Sequence, residues 1–182
     1  MSSHALTTDN ENGSSLPSRS LASTAMQNIL LLVGQLNYTW TNTESLLIYL
    51  IGGLARVDKE TAIVIFLTLN TTRARVDLVE RLAKMPKTDP KLRDQVLDLM
   101  KSLSKESALR NKFNHCIYSF DPDSGRGATQ LMRIFDDKEE IKYGKVESLD
   151  DKEIARIRKS IRSITAINKQ IWEIARTHNF PV

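Results

Sequence analysis

A single cysteine, Cys116, occurs in the 182 residues. That excludes an internal disulfide framework and leaves a reducing cytoplasm as the expected compartment. Glycine and proline are scarce, at 7 and 5. So few turn formers argue against a turn-rich sandwich and for long helices. No apolar run approaches the roughly 20 residues needed to cross a bilayer. The most apolar stretch, 29–54, is interrupted by Gln35, Asn37, Thr41, Asn42, Thr43 and Glu44. Residues 1–20 lack the charged start and apolar run of a secretory signal, so we expect a soluble chain with no membrane partner. Also missing are a glycine-rich phosphate loop, a His-Glu-x-x-His pair, paired zinc cysteines and a Gly-x-Ser-x-Gly elbow. His4, His115 and His178 are too dispersed to suggest a metal site, and no cofactor is expected.

What is present suits one globular domain. Hydrophobic residues make up 41% and charged residues 26%. The net charge of +4 is compatible with a polyanionic partner without specifying one. Residues 1–20, rich in Ser, Thr and Asn, read as a disordered leader, and 21–182 as a single domain.

Apolar residues recur at steps of three and four from Met26 to Leu54, predicting one long helix or two abutting ones over 22–52, ended by Gly52-Gly53. Glu44 falls near this stripe. We expect it at the solvated edge; the alternative is a charge held in a cleft against an arginine. Asp58 is an N-cap candidate for a short helix, whose apolar run 62–69 predicts burial. Thr71 or Thr72 caps the next, with Arg73–Asp77 and Asp77–Arg81 as i,i+4 pairs. We expect a solvated helix face here, with Arg73 and Arg75 as reserve candidates for contacting a phosphate. A helix from Asp89 or Pro90 carries Leu92, Val96, Leu99, Leu103, Leu109 and Phe113 on one face. Three β-prone runs follow, 116–120, 130–135 and 141–146, read as an antiparallel hairpin or three-stranded meander. Acids at 150–153 then start a last helix with isoleucines at 154, 157, 161, 164, 167, 171 and 174. Its other face holds Arg156, Arg158, Lys159, Arg162 and Lys169. Such a face is ordinarily solvated surface, but exposed Lys and Arg can also bind nucleic-acid phosphates.

The concentrated chemistry lies in Arg110-Asn111-Lys112-Phe113-Asn114-His115, where a helical pattern gives way to strand. Asn111 and His115 share a helix face, so the amide could fix the imidazole's tautomer. Arg110 lies about 140° round from His115 by the helical period. An imidazole that moves a proton and a guanidinium that holds phosphorane charge are the parts needed to cleave RNA without metal. One histidine cannot easily both remove and donate a proton; a two-fold dimer would supply a second. By spacing alone, two cations that suit the dipole at a helix C-terminus are the favoured reading.

The motif resembles the signature of the HEPN (higher eukaryotes and prokaryotes nucleotide-binding) superfamily, an arginine and a polar residue followed within a few positions by histidine. The order of elements over about 22–179 agrees. It departs from many members in having Asn114 before the histidine and Cys116 after it. The elements above make a mainly α fold, a bundle of about five helices with a small antiparallel β-hairpin or meander before the last, and the resemblance likewise implies an α-helical bundle. It also implies a homodimer and metal-independent endoribonuclease activity, in toxin–antitoxin, defence or RNA-processing settings, with an antitoxin as a conceivable partner. Arg110 and His115 match the catalytic pair and Asn111 the polar position. Some members are inactive, so a non-catalytic module binding RNA, nucleotide or protein is the alternative, with Arg156 and Arg162 as candidate RNA contacts.

Overall fold

The computed structural model describes residues 18–121, 123–136 and 139–182. Most of the expected leader, at 1–17, lies outside these described residues. The chain is mainly α, with a small three-stranded antiparallel sheet before the last helix. The helices are α1 (Ser18–Ser45), α2 (Leu47–Ala55), α3 (Lys59–Thr68), α4 (Thr72–Ala83), α5 (Pro90–Asn114) and α6 (Asp151–Thr177).

Local chemistry sets the helix starts. Asp58 accepts from the Thr61 N–H at 2.8 Å, Thr71 from Ala74 at 3.1 Å, Asp89 from Leu92 at 3.0 Å and Asp150 from Glu153 at 2.9 Å. Each quenches a donor that a helix's first turn leaves without an intrahelical partner. The abutting pair proves to be two helices, broken at Leu46. Ahead of the break, Thr39, Asn42, Thr43 and Ser45 all donate side-chain hydrogen bonds back to carbonyls three or four residues earlier. Bonds of this kind compete with the helix ladder and bend it.

Gly52-Gly53 does not end α2, which continues to Ala55 and turns at Arg56 with φ 58°. The glycines are there for packing. A Cβ on Gly53 would lie 2.1 Å from the Phe180 ring, and one on Gly52 2.8 Å from Pro181 Cγ. They form the seat for the chain's last residues. The short helix α3 is also less buried than its composition suggests. Ala62 and Phe66 are covered, but Val64 and Leu67 are 65% and 64% exposed. It packs chiefly against α2, which leaves its other side open among the described residues.

The core forms where α6 packs along α1 and α5, with α4 bridging α2 and α5. Trp40, Leu36, Leu47, Leu50, Ile51, Met100, Leu103, Phe113, Ile157, Ile164 and Ile171 are fully buried. The isoleucine stripe of α6 faces inward, and most of its charged residues face out.

Strands β1 (Cys116–Phe120), β2 (Gly127–Leu131) and β5 (Val146–Ser148) form the three-stranded sheet, in the order β1-β2-β5. The turn after β1 is tied by Asp121, whose carboxylate accepts from the backbone of Asp123 and Ser124, with Gly125 at φ 67°. Cys116, Tyr118 and Phe120 pack on the helical core. The β-prone runs at 130–135 and 141–146 are each split. The end of the first and the start of the second pair as a separate ribbon of β3 (Ile134–Asp136) and β4 (Ile141–Tyr143).

Candidate functional site

The motif occupies the last turn and a half of α5. His115 caps the helix, its N–H donating to the Asn111 and Lys112 carbonyls at 3.1 and 3.3 Å. Tyr118 Oη donates to the Phe113 carbonyl at 2.7 Å. Burial, together with the Cys116 thiol beside it, raises that phenol well above its ordinary value, so it stays a donor. The helix-end carbonyls of Asn111, Lys112 and Phe113 are thus satisfied by the backbone and Tyr118. Neither His115's imidazole nor Arg110's guanidinium caps them. The imidazole is exposed and makes no hydrogen bond among the described residues.

Arg110 is half-buried. Its guanidinium carbon lies 5.5 Å from the centre of the Trp40 ring, a cation–π arrangement, and Nη1 donates to Asn111 Oδ1 at 2.9 Å. The amide of Asn111 therefore serves Arg110 rather than His115. Arg110 Nε is buried and has no hydrogen-bond partner among the described residues. Glu106, one turn earlier, does not pair with Arg110; it accepts from Ser160 Oγ on α6 at 2.5 Å.

Lys112, between the two motif residues, anchors the neighbouring elements. Its ammonium binds Glu147 of β5, and Glu153 of α6 at 2.5 Å. Burial lowers the lysine's affinity for its proton. The hydrogen bonds and charges of Glu147 and Glu153 more than offset this, leaving it raised above its ordinary value. Glu147 is held below the usual carboxylate range, chiefly by the hydrogen bond from Lys112. Through this cluster the start of α6 sits beside the end of α5.

The four candidate RNA-contacting arginines separate. Arg75 turns inward. Its Nη1 reaches Glu44 at 3.0 Å, its Nε donates to the Phe66 carbonyl, and its guanidinium lies 4.0 Å from the Phe66 ring centre. Glu44, expected at a solvated edge, is instead 7% exposed. It also accepts from Trp40 Nε1 at 3.0 Å and Thr72 Oγ1 at 2.6 Å, so its charge is fully engaged. A buried carboxylate persists only with such partners. Arg73 is solvent-facing on α4, with Asp77 at 3.9 Å. Arg156 leans on Glu153 at 3.5 Å. Arg162 is exposed, and Arg158 and Lys169 stand with it at helical steps on the outer face of α6, Lys159 beside them. None of these four forms an ion pair among the described residues. At 1.5 Å per residue, the stripe from Arg158 to Lys169 runs about 17 Å along α6.

Two clefts lie away from the motif. One, of about 940 Å³, lies between α1, the turn at Arg126 and the start of α6. The other, of about 460 Å³, lies between α5 and α6 near His178. Neither is lined by Arg110 or His115. Among the described residues no group of three or more His, Cys, Asp or Glu could hold a metal ion, and no helix is long and apolar enough to cross a membrane.

Sequence reasoning missed Trp40 beneath Arg110, and the Lys112 cluster. Lys112 carried one signal: no acid lies three or four residues away in either direction, so a partner had to come from elsewhere in the chain. No family model, curated protein or solved structure matches the chain.

Proposed function

We propose that the chain is a metal-independent endoribonuclease of HEPN type, working as a homodimer with Arg110 and His115 of two copies at one cleft. The observation that carries this reading is the idle chemistry at the end of α5. An exposed imidazole and a buried guanidinium N–H have no hydrogen-bond partner among the described residues, while the helix end they would otherwise cap is satisfied by other groups. Neutral His115 accepts the 2′-hydroxyl proton as the 2′-oxygen attacks phosphorus. The P–O5′ bond breaks, and the second copy's protonated imidazole supplies a proton to the leaving oxygen. Arg110 stabilises the phosphorane's extra negative charge, and Trp40 and Asn111 hold it in place. The products are a 2′,3′-cyclic phosphate and a 5′-hydroxyl.

A second reading is favoured by the stripe of Arg158, Lys159, Arg162 and Lys169: a module that binds RNA without cutting it. Filter binding and gel assays on mixed RNA in EDTA separate the two. Cleavage by wild type that is lost in His115→Ala, with binding retained, supports the ribonuclease. Retention without turnover, abolished by Arg158→Glu/Arg162→Glu, supports the binder. No retention at low salt ends both.

A further inference from the structure

The outer face of α1 carries no charge over most of its length. Residues 20–43 contain no Asp, Glu, Lys, Arg or His. Leu31 and Tyr38 are both 73% exposed, and a spacing of seven residues, two helical turns, puts them on one side. Around them stand the exposed amides Gln27, Asn28 and Gln35. Beside this neutral face runs the basic stripe of α6. The two helices pack along each other, and Asn168 Nδ2 donates to Thr43 Oγ1 at 3.2 Å. The cleft of about 940 Å³ brings 25–35 of α1 together with 148–158, so α1 and α6 run parallel. Five residues before Thr43 and Asn168, Tyr38 is therefore level with Ser163, next to Arg162.

The cleft continues this surface toward the start of α6. Its apolar lining includes Leu32 and Leu149, and Asn28 and Gln35 contribute from α1. Neither amide makes a side-chain hydrogen bond among the described residues. Each offers a donor and an acceptor, the combination that reads the edge of a base. The rim is balanced in charge, Arg126 and Arg158 against Asp150 and Asp151. The Asp150 carboxylate also accepts from the Glu153 N–H at 2.9 Å. A balanced rim suits a neutral ring better than a phosphate. Arg158 belongs to both the rim and the stripe, which places phosphate contacts and base contacts side by side. A continuous apolar face would suit a bilayer; amides among apolar groups suit bases, whose faces stack and whose edges hydrogen-bond.

We propose that the α1 side of this surface is a base-binding site, in which Tyr38 stacks on one base and Asn28 and Gln35 read another in the cleft. The inference rests on the RNA readings above and names the residues that set base preference. Its test does not use cleavage. Fluorescence anisotropy of the full chain in EDTA takes 2′-O-methyl homopolymers of about 12 nucleotides, which lack the 2′-hydroxyl that cleavage needs. An abasic strand of the same length supplies phosphates without bases. Tyr38→Ala should bind the homopolymers at least about fivefold more weakly, and the abasic strand as wild type does. Tyr38→Phe should keep wild-type affinity. Asn28→Ala/Gln35→Ala should flatten the preference among the four homopolymers. Three outcomes would each overturn the proposal: no loss in Tyr38→Ala, an equal loss on the abasic strand, or a preference that Asn28→Ala/Gln35→Ala leaves intact. So would uptake by phosphatidylserine vesicles without binding to the homopolymers, which would make the neutral face a lipid contact. Binding through Tyr38 by a chain that leaves RNA intact sinks the ribonuclease reading and not this one. Cleavage of RNA by a chain whose binding ignores Tyr38→Ala sinks this one alone.

Discussion

Three ionisable residues have surroundings unlike one another. Glu44 is enclosed by Trp40, Thr72 and Arg75. Glu44→Ala strands the Arg75 guanidinium and should lower unfolding free energy by about 3–5 kcal/mol, read by urea titration; a loss under about 1 kcal/mol would mean the charge is solvated after all. His115 is exposed and unbonded, so His115→Ala should change stability by no more than about 0.5 kcal/mol. Lys112 is the pH-sensitive case. Glu147 has a folded pKa below its ordinary 4.5, so it contributes stability above that value, and the contribution is lost as pH falls through the depressed one. Lys112→Met removes the cause of that depression. The stability gap between wild type and Lys112→Met should be widest near neutral pH and narrow as acid protonates the carboxylates. A gap that widened in acid would refute the assignment. None of these environments was legible in full. The acid within an apolar stripe was visible, and so was an arginine as its alternative partner. That Arg75, 31 residues away, would supply it was not. Helical geometry put Asn111 beside His115, but the longer arginine reached the amide first.

At the scale of elements, local chemistry was the readable part. Asp58, Thr71, Asp89 and Asp150 cap helices because a cap needs only the next three residues. The isoleucine stripe of α6 faces the core because its period leaves no other choice. Elements whose meaning lies in distant chain were misread. Gly52 and Gly53 look like a helix stop, and they are a seat for Phe180 and Pro181. Gly53→Ala should therefore displace the C-terminal segment, exposing 178–182 to carboxypeptidase and costing about 1–3 kcal/mol. If the tail stays protected, the seat is not what holds it. The apolar run of α3 looked buried, but burial depends on how many neighbours an element has, and α3 lies at the periphery. Splitting the β-prone runs into a sheet and a separate ribbon was beyond a pattern that records only propensity.

Across the whole molecule, helical periodicity and the β-prone runs outlined the fold class, and the structure has that mainly α form with its small sheet before the last helix. The proposed function needs two features to act together: the basic stripe of α6 as a track for phosphates, and the Arg110–His115 end of α5 as the place of reaction. Lys112, bound to Glu153, joins them mechanically. If single-stranded RNA follows the track, Arg158→Ala/Arg162→Ala should reduce the slope of log affinity against log salt by about 1.4, without altering the cleaved positions. An unchanged slope would place the RNA elsewhere. The central claim is that Arg110 and His115 cleave RNA without metal. Single-turnover incubation of RNA in EDTA, with analysis of the product ends, tests it most directly. The account predicts 2′,3′-cyclic phosphate and 5′-hydroxyl ends with wild type, a rate about 10²–10⁴ lower in His115→Ala, and a comparable loss in Arg110→Ala. Equal cleavage by wild type and His115→Ala, or none by either, would contradict it.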